Sequence, residues 1–144
     1  MSWIYKGVKF TDEMIPDDAI GFIYRMDTTY EGKVVSYIGR KNFFTDAKAK
    51  ILKKNLPKDK RKKTYTRVRK MTYENYYSSN FLLKNLHKEG CPIKREILRI
   101  CYSKTELSYY ETKYQFVNEV LESNEWLNGN ILGRFYKQKP HDKQ

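Results

Sequence analysis

The chain has almost no histidine or cysteine, and that scarcity removes several chemistries at once. His87, in a helix-compatible stretch, and His141, in the tail, cannot furnish a histidine-rich metal site. They also leave a Ser-His-Asp constellation with little to draw on. Cys91 and Cys101 lack metal-type spacing and read as two reduced, buried thiols of a cytoplasmic protein rather than as a disulfide. No run of about 18 apolar residues occurs, so no membrane-spanning helix and no membrane partner is expected. The opening Met-Ser-Trp-Ile-Tyr-Lys lacks the apolar stretch of a signal peptide. Neither G-x-x-x-x-G-K-[ST] nor G-x-G-x-x-G is present, which leaves nucleotide hydrolysis without support. Four prolines and seven glycines are too few for long disordered stretches. The 144 residues are enough for one domain with its own core.

What the chain has in excess is positive charge. Twenty-nine Lys and Arg face 17 Asp and Glu, for a net +12. Twelve of the basic residues fall between Lys48 and Lys70, with Asp59 as the single acid, so one block carries nearly all of the imbalance. Such a block is an electrostatic footprint for a polyanion. The alternative is a solvated face or a nuclear-type address. Tyr65, Thr64 and Thr66 among the cations favour phosphate contact, because hydroxyls can hydrogen-bond a nucleic-acid backbone. Pro57 and the cluster Lys60, Arg61, Lys62, Lys63 interrupt any clean amphipathic face, which argues against a membrane-surface helix.

Along the chain, residues 1–20 read as a lead-in, residues 21–136 as one domain with a basic insertion at about 55–72, and residues 137–144 as a tail. Gly21–Met26 and Val34–Ile38 read as two strands of an antiparallel hairpin, joined by a polar loop from Asp27 to Lys33. Residues 46–55 are helix-compatible up to Pro57. Alternation at Tyr65, Arg67 and Arg69 hints at a strand. A helix is expected over 79–88, stopped by Gly90, and a third strand over 94–101. Ser103 and Glu106 have capping-box spacing, and Leu107, Tyr110, Tyr114, Val117 and Leu121 form the apolar stripe of a second helix. The expected fold class is α+β, a small central antiparallel three-stranded sheet flanked by helices.

Carboxylates do not cluster. The closest pair, Asp17 and Asp18, lies in the lead-in and reads as a surface feature. What remains is tyrosine, present 13 times, and Glu111 at the border of the helical stripe, a more sheltered place than Glu119 or Glu122. A carboxylate there can hold a Mg²⁺ that keeps several waters. Taken singly, Glu111 reads first as a half-exposed helix glutamate, and Tyr24 and Tyr37 as good strand residues.

Phe22-Ile23-Tyr24 and Tyr37-Ile38-Gly39 together resemble the paired motifs of the GIY-YIG nucleases, with Gly21 one place early and a slightly long gap between the tyrosines. The resemblance runs on to Asn130. Tyr37 to Phe44 is similar to small, largely phage-encoded members. Asn75-Tyr76-Tyr77-Ser78-Ser79 resembles their N-Y-Y-G-S-S segment without its glycine, and Lys94–Leu98 and Glu106–Glu111 match further segments. The resemblance implies phosphodiester hydrolysis with one Mg²⁺ or Mn²⁺ per site, held by Glu111. It makes Tyr24 the general base through a depressed pKa, Tyr37 the group that orients water or phosphate, and Asn128 the residue that fixes the local loop. The family arginine expected about ten residues after the second tyrosine is Ala47 here. Arg40, Lys48 and Lys50 are the candidate substitutes, although lysine cannot copy the arginine fork.

Nucleic-acid contacts are expected from Lys41, Lys60, Arg61, Lys62, Lys63, Arg67, Arg69, Lys70, Tyr76 and Tyr77. The implied partner is double-stranded DNA, cut at a short or loosely defined target, since no helix-turn-helix or zinc finger is visible. A dimer is compatible with a double-strand cut, and a phage-encoded member would work in the bacterial cytoplasm. A catalytically impaired nucleic-acid-binding module, supported by Ala47, is the alternative from another class; a basic scaffold is a third.

Overall fold

The computed structural model describes residues 2–50 and 65–137. Nine strands and two helices follow one another in the order β1 (Trp3–Tyr5), β2 (Val8–Lys9), β3 (Gly21–Tyr30), β4 (Lys33–Asn42), β5 (Phe44–Lys50), β6 (Tyr65–Met71), α1 (Phe81–Lys88), β7 (Lys94–Cys101), α2 (Lys104–Val117), β8 (Asn130–Ile131) and β9 (Phe135–Tyr136). The fold is α+β, as the residue pattern implies. The three expected antiparallel strands are β7, β3 and β4, and the sheet is wider than those three. Its order is β2-β1-β7-β3-β4, with β1 running parallel to β7, so the sheet is mixed. The lead-in therefore supplies two of the five strands. Trp3 explains why: it is buried, donates its indole N–H to the Tyr73 carbonyl at 2.9 Å, and meets Phe22 edge-on at 4.9 Å.

Strand β3 is central, and its first residues are buried on both faces. Phe22, Tyr24 and Met26 point into one core with Trp3, Phe43, Tyr73 and Leu83 of α1. Ile23 points the other way, into a second core with Ile38, Leu107 of α2, Val120 and Ile131. Period-2 alternation thus divides β3 between two helical layers.

The β3–β4 connection corrects the expected loop. Asp27 to Tyr30 stay in the strand, and only Glu31 and Gly32 turn the chain, both with positive φ (51° and 77°). Two left-handed central residues make the turn that matches strand twist. The polar residues are satisfied within the sheet: Arg25 Nε donates to Asp27 Oδ1 at 3.0 Å and Ser36 Oγ donates to the same oxygen at 2.5 Å. The long gap between the two tyrosines is absorbed by strand, not by loop.

A second correction concerns residues 46–50, which are strand rather than helix. β5 pairs with β6 from Phe44↔Met71 to Lys50↔Tyr65; residues 51–55 of the expected helix lie outside the described residues. Cross-strand pairing with a β-branched and aromatic partner segment overrode the local helix propensity. Both helices form where expected, although α1 begins at Phe81 and α2 ends at Val117, short of Leu121. Asn80 caps α1 by accepting from Leu83 N–H, and the chain leaves α1 through Gly90. Ser103 Oγ accepts from Glu106 N–H at 3.1 Å, while Glu106 reaches back to Tyr102 N–H, one residue beyond the expected box partner. Val117, placed in the stripe by its spacing, is 70% exposed, because α2 ends there and Leu121 enters the core from the following turn. Gln115, outside that stripe, is buried instead through a polar contact described below.

Trp3→Ala is expected to lower unfolding stability by about 3–5 kcal/mol in urea denaturation. A loss below about 1 kcal/mol would show that the first strands are dispensable.

Candidate active site

Register brings the two motif tyrosines together. Tyr24 lies opposite Gly39 and Tyr37 opposite Met26, so both rings occupy the same face of the hairpin with centroids 6.2 Å apart. A Cβ on Gly39 would stand 2.6 Å from the Tyr24 hydroxyl and 2.7 Å from its ring, so the phenol lies directly on the Gly39 backbone. Only glycine admits that approach.

The hydroxyl of Tyr24 donates to Ser78 Oγ at 3.2 Å and lies 3.4 Å from that of Tyr76. Tyr37 shares a hydrogen bond with the Ser79 side chain. The segment carrying these groups is held from beneath by Arg95, to which the sequence reading assigned no role. Arg95 is 4% exposed, donates to the carbonyls of Glu74 and Tyr76 at 2.7 and 2.9 Å, and stacks its guanidinium on Trp3 and Tyr77. Tyr77, expected at the nucleic acid, instead has Arg95 on its ring and His87 stacked at 3.6 Å. Lys41 Nζ donates to Thr72 Oγ1 at 2.8 Å and lies 5.2 Å from the Tyr76 ring centroid.

Glu111 approaches from the other layer. Leu107, Glu111 and Gln115 follow one another at four-residue steps along α2, the row that faces the sheet. Gln115 Nε2 donates to the Ile38 carbonyl at 3.1 Å. One turn earlier, Glu111 meets Arg40 at 3.7 Å, and one step before that Ser108 Oγ accepts from Arg40 at 2.6 Å. The helix is therefore laid along β4, and Glu111 is half-buried while Glu119 and Glu122 are exposed. Asn128, 3% exposed, completes the edge: Oδ1 accepts from Ile38 N–H at 3.1 Å and Nδ2 donates to its carbonyl at 2.8 Å. A side-chain amide thus substitutes for the missing neighbouring strand. Its Leu127 neighbour donates its N–H to the Ser36 carbonyl.

Electrostatics run against one expectation. Burial is the first cause that raises the Tyr24 pKa well above the ordinary tyrosine value, with Tyr76 adding to it and the Ser78 hydrogen bond opposing it. The depressed pKa expected for this group is reversed, because no cation offsets its desolvation. Tyr37 is also raised by burial, and the nearby Glu111 charge contributes. Burial raises the Glu111 carboxyl too, against the pull of Arg40.

Among the described residues no three His, Cys, Asp or Glu side chains lie close enough together to hold a metal ion. A single half-buried carboxylate with a guanidinium beside it fits a largely hydrated Mg²⁺ or Mn²⁺, and does not fit zinc. Lys48 and Lys50 occupy β5, in a sheet separate from Tyr24 and Tyr37. Lys60, Arg61, Lys62 and Lys63 lie outside the described residues. Arg67 is a β6 position, Arg69 stacks on Phe44 at 4.1 Å, and Lys70 is exposed.

Residues 3–131 match a family model described as "Putative endonuclease segE, GIY-YIG domain". The chain belongs to the GIY-YIG family. No curated protein and no solved structure matches it. Membership makes this GIY-YIG domain an endonuclease at the level of the family and nucleic acid its class of substrate. No helix among the described residues is long and apolar enough to cross a membrane. The residues that sequence reading missed around the GIY-YIG tyrosines are Ser78, Ser79, Arg95 and Gln115. The two serines stand within a motif segment that the resemblance had already singled out. Arg95 likewise stands within the Lys94–Leu98 segment matched by the resemblance, which gave it no role, and Gln115 gave no signal.

The raised Glu111 carboxyl has a stability consequence with a definite sign. A carboxyl whose folded pKa exceeds its unfolded value holds its proton longer in the native state, so stability falls as pH rises through that window and stays lower above it. Glu111→Gln is therefore expected to raise the melting temperature at neutral pH. The gain should vanish once acid protonates the glutamate in both states; a gain that persists unchanged at low pH would contradict the burial effect.

Proposed function

We propose that this GIY-YIG protein is a divalent-metal-dependent endonuclease that hydrolyses phosphodiester bonds in double-stranded DNA. The observation that carries the reading is Glu111, half-buried beside Arg40, on the helix laid along the strand that carries Tyr37. Glu111 would hold Mg²⁺ or Mn²⁺, which supplies charge stabilisation to the phosphate and the leaving oxygen. Arg40 is the favoured substitute for the arginine replaced by Ala47, since it is the cation next to Glu111 and keeps the guanidinium fork. Tyr37 orients the attacking water and Tyr24 accepts its proton. Asn128 fixes the strand edge behind Tyr37 rather than touching substrate, in keeping with its pairing to Ile38.

The β5–β6 hairpin supports a polyanionic partner. Its register sets Lys48 opposite Arg67, so basic positions of the two strands stand side by side in one hairpin, a charge pattern that favours a polyanion. Lys41, Lys60, Arg61, Lys62, Lys63, Arg69, Lys70 and Tyr76 are the further contacts of this reading, and affinity should be steeply salt-dependent and nearly blind to sequence. The protein would act in the cytoplasm, as a monomer visiting each strand or as a dimer.

A catalytically impaired binding module is the second reading, favoured by Ala47 and by a Tyr24 that is only 1% exposed. Supercoiled plasmid with Mg²⁺ separates the two. The enzyme is expected to nick or linearise it, and Glu111→Ala to lower the rate by at least about a hundredfold. Salt-sensitive binding with no cleavage by either protein would leave the module.

The raised Tyr24 pKa sets the pH profile. A phenol that must lose its proton to act is only sparsely ionised below its pKa, so the rate should climb about tenfold per pH unit between about pH 7 and 9 without a plateau. Tyr24→Phe should flatten that slope. A plateau near neutrality would remove Tyr24 as the proton acceptor.

A further inference from the structure

Five described residues other than glycine have positive φ: Lys6, Glu31, Ser78, Glu119 and Leu132. Four lie on the exposed surface, where turns adopt such conformations at little consequence. Ser78 is the exception, 1% exposed with φ at 76°. A side chain in the left-handed region is disfavoured sterically, and a buried one persists only where its surroundings over-determine it. Those surroundings are present. Arg95 anchors the preceding carbonyls of Glu74 and Tyr76, and Asn80 immediately afterwards caps α1. Ser78 Oγ itself accepts from Asn80 N–H at 3.0 Å and from the Tyr24 hydroxyl at 3.2 Å.

Tyr24 must part with its own proton before it can take one from water. As a phenol it donates to Ser78 Oγ; as a phenolate it accepts from the serine hydroxyl, which turns to donate back. The same contact therefore holds the oxygen in both states and favours the ionised one, opposing the effect of burial.

We propose that Ser78 is a positioning residue for Tyr24, its strained backbone retained because that conformation aims the serine hydroxyl at the tyrosine. The inference rests on the reading of Tyr24 as proton acceptor.

Two substitutions separate backbone from hydroxyl. Ser78→Ala keeps a side chain in the left-handed region and removes the hydroxyl; Ser78→Gly removes both. Both are expected to lower kcat for plasmid cleavage by about 10- to 100-fold with KM unchanged. In a Tyr24→Phe background, Ser78→Gly should add no further loss. Cleavage by Ser78→Gly at the wild-type rate would overturn the proposal, as would an additive loss in the double variant. Unfolding in urea, run as the same double-mutant cycle, reads the hydrogen bond without reference to activity: coupling there is expected, and its absence overturns the proposal. Coupling in unfolding with full cleavage by both serine variants would make Ser78 merely structural and would equally overturn it. Wild-type cleavage by Tyr24→Phe alone is a different result, since it removes the proton-acceptor reading itself, and the inference falls with it.

Discussion

The contact on which the rest depends is the seating of the Tyr24 phenol on the backbone of Gly39. It requires the β3–β4 register, because a slip of one residue would turn Tyr24 to the α2 face and expose an unpaired hydroxyl to an apolar core. It requires glycine at position 39, because any Cβ would collide with the ring. Once those two conditions are met, the hydroxyl can reach only the segment that carries Tyr76 and Ser78. The two-residue turn at Glu31–Gly32, the long strands and the N-terminal strand that brings Trp3 beneath β3 all serve to hold that single packing arrangement.

The polar groups form two sets that meet along β4. Tyr24, Tyr37 and Tyr76 pack against one another, and Arg40 meets Glu111 along the same strand, near enough for the Glu111 charge to help raise the Tyr37 pKa. Gln115 and Asn128 both bind Ile38, the residue between Tyr37 and Gly39, from the α2 side and from the strand's open edge. Tyrosines and carboxylate are therefore positioned by the same short piece of backbone, although they belong to different cores.

Much of this was legible beforehand, for identifiable reasons. β3, β4 and β7 carry apolar, β-branched and aromatic runs, and α1 and α2 have side-chain caps at Asn80 and Ser103, so local chemistry and tertiary structure agree. Tyr24 and Tyr37 were visible because two tripeptides in order are rarer than either alone. Residues 46–50 were misread because Ala47, Ala49 and the lysines are good helix formers, and the partner that makes them a strand lies fifteen or more residues further on. The strands of the lead-in were missed because two- and three-residue strands have no period to detect. Tyr24's ionisation could not be read at all, since a pKa depends on burial and neighbours that exist only in the folded chain. Val117 was misplaced because α2 ends at that residue, and Gln115 was passed over because its burial rests on a hydrogen bond to Ile38 that no residue pattern displays.

The amide of Asn128 on Ile38 and the backbone of Ser36 against Glu125 and Leu127 have a consequence beyond the polar residues they support. Strand β4 closes one side of the sheet, and a long, flat outer strand ordinarily invites a like strand from another molecule to add to it. Here the chain's own 125–128 segment occupies that invitation, and the opposite side ends in the two-residue β2. A sheet finished in this way resists accretion into stacked aggregates.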